Sequence, residues 1–348
     1  MGHSSAVYDL AADVLRLVRL DRARLTRAFA APVPVWHRVL GFEGCTAQVD
    51  RQLRARVTAR EIPEPIRQLL GAATGASVRF GILAHRQLAE IAALATSSGI
   101  RVMAVKGAAR LLAGDVPGTR SIADIDLLVA PGDGAHFHEL LMAKRGYSAA
   151  GPAYAHHLPV LERFGSLNID LHIRISDTPI ALDTSIWDAT RVTAINGHVL
   201  ELPSATNMVL HTLEHGLGLN WMGRYRLRDI LDVAALYTAD VSGDAVRSYI
   251  AKSRARIACE TLLSAAHDLE PRVPTFSGDA WRTIRRVSRA RLALSMLPPN
   301  PRDAERVFRY AGVIAEGSPQ SIVRAGQGAI RRLATAFVGG RASSGRVA

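Results

Sequence analysis

The chain has 348 residues, a formal net charge of +12, a pI near 10.5 and 48% hydrophobic residues. It is long enough to bury a core in two or three subdomains, and no apolar run approaches the roughly 18 residues of a membrane span. The start Met1-Gly-His-Ser-Ser-Ala6 has neither a basic segment leading into an apolar one nor the residue-6 hydroxyl of a myristoylation signal, so a cytoplasmic protein is expected. Cys45 and Cys259 are the only cysteines and lie far apart, which argues against a disulfide framework or a zinc–cysteine site.

Residues 1–80 read as a helical N-terminal region. Val14, Leu15, Val18 and Leu25 recur at helical spacing, with Arg16, Arg19, Arg22, Arg24 and Arg27 between them and prolines at 32, 34, 63 and 65. The basic excess is spread over such helices. With aromatics at only 5%, few stacking platforms exist for single strands, so nucleic acid is not the expected partner. A second region, 81–202, begins with an apolar-periodic helix over 81–98 that closes at Gly99. Ile100 to Val105 reads as a buried strand, Lys106-Gly107 as a turn, and Ala108 to Leu112 as a short helix.

Ile122 to Val129 is a strand carrying Asp124 and Asp126, and a helix follows over Asp133 to Arg145. Leu167 to Ile175 is a strand carrying Asp170 and His172. Alternation along a strand puts Asp124 and Asp126 on one face, and likewise Asp170 and His172. Three carboxylates on adjacent strands suit hard divalent cations, and so phosphoryl or nucleotidyl transfer. The chain writes nearly all its cations as arginine; of its three lysines, one is Lys106, just upstream of these acids. A compact ammonium there suggests a specific role. The stretch after Ile175 is poorly patterned to about Leu202. From Ser204 the pattern is helical, giving a C-terminal domain over 203–337 and a small, polar tail over 338–348 expected to be disordered.

In order, these features are a strand, Lys106-Gly107, a helix, Arg120, Asp124-x-Asp126 and Asp170-Leu-His172, with Leu227-Arg-Asp229-Ile-Leu-Asp232 further on. This arrangement resembles the DNA polymerase beta-like nucleotidyltransferase superfamily, and in particular its bacterial branch of uncharacterised nucleotidyltransferases, over roughly Ala84 to Tyr237. The resemblance implies an α/β fold of mixed α+β type: a nucleotidyltransferase-type mixed sheet with flanking helices. It implies an enzyme using Mg²⁺ or Mn²⁺ and an NTP, moving a nucleoside monophosphate to a small-molecule, peptide or protein acceptor. Asp124, Asp126 and Asp170 would be the catalytic metal ligands, with Asp170 also helping to deprotonate the acceptor. Lys106, Gly107 and Arg120 would hold the triphosphate, and His172 would steady Asp170 or approach the substrate. The wider superfamily has Gly-Ser where this chain has Lys106-Gly107.

Two other readings stay open. A catalytically degenerate homologue would bind nucleotide without turnover. His211-Thr-Leu-Glu214-His215 also matches the inverted zinc-hydrolase pattern, with Glu260 or Glu270 as a distant third ligand. Helix packing or a lining for the acceptor cleft are the other roles for these histidines. Arg120 is alternatively a partner for Asp124 or Asp126, and Arg226, Arg228, Asp229 and Asp232 are expected to form an ion-pair network within the helical domain.

Overall fold

The computed structural model describes residues 22–276 and 280, apart from 56, 155, 176–179, 216–226 and 254–255. The expected tail over 338–348, most of the last helices and Arg226 lie outside the described residues.

The described chain opens with three short helices, α1 (Arg22–Phe29), α2 (Val33–Glu43) and α3 (Thr46–Arg54). Proline sets the entrance of α2, where a missing N–H costs nothing, and Gly44 ends it at φ +64°, where a side chain would be strained. Next comes α4 (Glu64–Ser98), 35 residues long, entered through Pro63 and Pro65 and closed by Gly99. The helix expected over 81–98 therefore begins at Glu64, and the 80/81 boundary falls inside it. Gly71, Thr74, Gly75 and Ser77 weaken the local helical signal, and packing restores it: Thr74 donates to Asp50 Oδ2 on α3 at 2.8 Å.

The remaining order is β1 (Val102–Ala104), α5 (Lys106–Leu112), β2 (Asp124–Val129), α6 (Gly134–Arg145), β3 (Ser148–Ala150), β4 (Val160–Glu162), β5 (Asn168–His172), α7 (Leu182–Asp188), β6 (Thr190–Ile195), β7 (His198–Pro203), α8 (Ala205–Leu213), α9 (Leu227–Leu236), α10 (Gly243–Lys252) and α11 (Arg256–His267). The strands form one seven-stranded mixed sheet in the order β3-β4-β5-β2-β1-β7-β6. Pairs β2/β5 and β1/β7 are parallel; the others are antiparallel. The fold is the mixed α/β type expected from the sequence. The poorly patterned stretch up to Leu202 contains α7 and the β6/β7 hairpin, which turns through Asn196 (φ +50°) and Gly197 (φ +80°).

Two cores divide the faces of the sheet. Ile125, Leu127, Val129, Ile169 and Leu171 point into one, with Leu88, Ile91 and Leu94 of α4 and Phe137 and Leu141 of α6. Met103 and Leu128 point into the other, where helices from before and after the sheet share one apolar cluster, including Trp36, Ile66, Leu210, Ile230 and Leu262. Strand alternation thus puts Asp124 and Asp126 on the same face as Leu128, toward those helices. Among the described residues, no helix is long and apolar enough to cross a membrane.

Candidate active site

The register of β2 on β5 builds the acidic cluster. Asp126 pairs with Asp170, Leu128 with His172 and Asp124 with Asn168, in parallel strands. Side chains at paired positions leave the same face, so Asp126, Asp170 and His172 converge, with one ligating atom of each within 4.8 Å of the others. The apolar alternate residues Ile125, Leu127, Ile169 and Leu171 are buried beneath, which fixes this register, since a one-residue slip would bury the acids instead.

Lys106 enters from the start of α5. Its Nζ donates to Asp126 Oδ1 at 2.6 Å, and His172 Nε2 lies 3.0 Å from the same oxygen. With the proton on Nε2, His172 donates to Asp126, and its 3.5 Å approach to Lys106 is a contact rather than a hydrogen bond. Lys106 has φ +51°, a left-handed backbone that a non-glycine residue adopts at a cost. Burial would raise the Asp126 pKa, but Lys106 and His172 overrule it and hold the carboxyl well below the ordinary range. Burial lowers the His172 pKa against the pull of Asp126, which favours the neutral imidazole. At the mouth of the cleft, Asp124 is pushed up to about 6, by partial desolvation first and then by the charges of Asp126 and Asp170.

These groups open onto a cleft of about 480 Å³ between the sheet and helices α8 and α9. Asp124, Asp126, Asp170, Lys106, Gly107 and Arg120 all line it. His172 sits behind Asp126, and it is His172 rather than Asp124 that completes the tight group of three.

Gly107 and Arg120 meet. A Cβ on Gly107 would lie 2.5 Å from Arg120 Nη1, so this glycine leaves room for a guanidinium. Arg120 pairs with neither Asp124 nor Asp126 but with Asp232 of α9, Nε to Oδ2 at 2.9 Å. Asp232 also accepts from Arg110 Nη1 on α5 and from Gln48 Nε2 on α3, the latter at 2.8 Å. The network expected among the helical residues instead ties α9 to α3, α5 and the loop before β2; inside α9, Arg228 approaches Asp229 only to 3.7 Å. Burial works against the Asp232 charge, yet Arg120 and Arg110 hold its pKa below the ordinary range.

The family model for uncharacterised nucleotidyltransferases matches residues 38–270. The chain belongs to this family. No curated protein matches it. A solved structure, an antigenic nucleotidyltransferase-like protein from Paracoccidioides brasiliensis, is similar at 19% identity and a TM-score of 0.32, over 44% of this chain and 75% of that one. So distant a likeness carries no weight for the site.

His211 and His215 of the zinc-hydrolase pattern both line the cleft, but the other residues of that reading are engaged elsewhere. His211 lines the cleft, and its pKa is driven down to about 3 by burial, then by Lys106. Glu214 instead accepts from Tyr249 Oη at 2.9 Å. Glu260 is held by Arg256 and Glu270 by Arg272, each at 2.7 Å. Among the described residues, only Asp126, Asp170 and His172 group closely enough to hold a metal ion. Two carboxylates suit a hard divalent cation such as Mg²⁺ or Mn²⁺. Sequence reading missed Arg110 and Gln48. Their signal was indirect: Asp232 lies on the apolar face of an amphipathic helix, where a buried carboxylate needs partners.

Proposed function

We propose that the chain is a divalent-metal-dependent nucleotidyltransferase that moves a nucleoside monophosphate from an NTP to a hydroxyl or phosphate of a small-molecule, peptide or protein acceptor. The observation that carries this reading is the pairing of Asp126 with Asp170 across β2 and β5, beside Lys106, in an open cleft.

Asp126 and Asp170, with Asp124 at the mouth, would hold Mg²⁺ or Mn²⁺, while His172 steadies Asp126 from behind. The bound ion would neutralise charge on the phosphate oxygens and favour the ionised acceptor. Asp126 is kept ionised by Lys106 and His172. Asp170 takes the proton of an acceptor hydroxyl as its oxygen bonds to the α-phosphorus. The α–β bridge breaks, and pyrophosphate leaves with the bond's electrons. Lys106 is placed to offset phosphate charge, as are Arg120 and the turn at Gly107.

The test incubates the full chain with α-labelled NTPs, Mg²⁺ or Mn²⁺ and a panel of acceptors. Label should move with the wild type and stop when both Asp126 and Asp170 are changed to Ala. Transfer that persists in that double variant overturns the mechanism. Nucleotide binding with no transfer under any condition supports the degenerate homologue instead.

A further inference from the structure

Four cations line the cleft among the described residues: Lys106, Arg110, Arg120 and Arg228. Three are matched to carboxylates at bonding distance. Lys106 holds Asp126 at 2.6 Å, Arg110 holds Asp115 at 2.7 Å as well as Asp232, and Arg120 holds Asp232 at 2.9 Å. Arg228 differs. It stands 3.7 Å from Asp229, beyond hydrogen-bond range, and its buried Nε has no hydrogen-bond partner. Asp229 is a charge neighbour of Arg228 but makes no hydrogen bond to its Nε, so the donor directions of the guanidinium are not used up by it.

Arg228 nevertheless has an ordered place. It lies over Gly44, its Nη1 at 3.6 Å from where a Cβ would stand, at the end of α2. Its charge reaches Asp124 on the sheet side of the cleft and Asp232 on α9, without an ion pair to Asp124. A partly buried guanidinium across the cleft from carboxylates leaves a place for a phosphate that arrives with a divalent cation, the cation meeting the acids and the arginine meeting the phosphate. The planar fork of arginine matches phosphate oxygens in pairs.

We infer that Arg228 is a phosphate-binding residue of this cleft, reaching from the helical side toward a group held over Asp124. The inference builds on the proposed transfer reaction, which offers two sources of phosphate: the donor triphosphate and a phosphorylated acceptor.

Calorimetric titration of the full chain with inorganic pyrophosphate, orthophosphate and each of the four NTPs, in Mg²⁺, tests it. Arg228→Gln should weaken pyrophosphate binding about tenfold or more, and Arg228→Lys should fall between it and the wild type, because charge remains while the fork is lost. Both variants should melt like the wild type. An equal loss for the NTPs assigns the contact to the donor. Unchanged NTP affinity with weakened orthophosphate binding at saturating NTP assigns it to the acceptor. Arg228→Gln binding all these anions as tightly as the wild type overturns the inference, as does a wild type that binds none. A wild type that binds phosphate through Arg228 yet transfers no label leaves this inference standing and removes the transferase reading.

Discussion

Asp126 on β2 and Asp232 on α9 are both buried, both line one cleft and both have pKa values held below the ordinary carboxylate range. Their surroundings differ in the balance of charge. Around Asp232, two guanidiniums and an amide converge on one carboxylate and join three separate segments. Around Asp126, one ammonium serves a neighbourhood that also holds Asp170 and Asp124. A buried junction in which acids are matched or outnumbered by cations is a fastener. A pocket with surplus acid is relieved by a proton, as the raised Asp124 shows, or by a cation that enters it.

If that contrast is right, Asp232→Ala should have the largest effect on stability. It strands Arg120 and leaves Arg110 with Asp115 alone, and breaking a buried pair costs about 3–5 kcal/mol, readable by chemical denaturation. A loss under 1 kcal/mol would remove Asp232 from the fastener role. Second, Mg²⁺ or Mn²⁺ at about a hundred times its Kd should stabilise the wild type by about 2.7 kcal/mol, and the Asp126→Asn plus Asp170→Asn variant hardly at all. A metal shift surviving in that variant would place the ion elsewhere. Third, Gly107→Ala should cost about 1–3 kcal/mol through its clash with Arg120. In the Asp232→Ala background Arg120 is released, so the same change should cost measurably less; additive losses in the double-mutant cycle would show that Asp232 does not pin it. The smallest effect concerns acid. Asp232 has a lower pKa folded than unfolded, so its contribution is complete above the unfolded value of ~4 and declines as pH falls toward the folded one. The acid limb of stability against pH should therefore be shallower in Asp232→Asn than in the wild type.

The acids of the sheet were legible because strand alternation is short-range. Asp124-x-Asp126 and Asp170-x-His172 declare their faces within three residues, and flanking Ile and Leu declare the opposite face. Adjacency of the two strands was expected, but their parallel pairing and the register of Asp126 against Asp170 depend on how the chain crosses between them. The Asp232 junction could not be read this way: Gln48, Arg110 and Arg120 come from three other segments, and their convergence follows from packing of helices. The extension of α4 back to Glu64 was hidden by glycines whose cost is met through contacts far along the chain. The β6/β7 hairpin is a different case. Asn196-Gly197 is a local turn signal present in the sequence, within the stretch whose apolar pattern is weak.

The long helix α4 has a consequence for modularity. At 35 residues it is a rod of about 50 Å. Its first half packs with α3, and its second half supports the sheet. Midway, Ser77 Oγ holds the carbonyl of Arg120 at 2.8 Å, and Gly81 lets Pro117 lie against the rod. A fragment cut at residue 81 would lose the anchor for the loop that delivers Arg120 while keeping every acid of the sheet. The acid-bearing sheet is thus no portable cassette. Any duplication, fusion or trimming that preserves it must carry residues 64–98 as one indivisible piece.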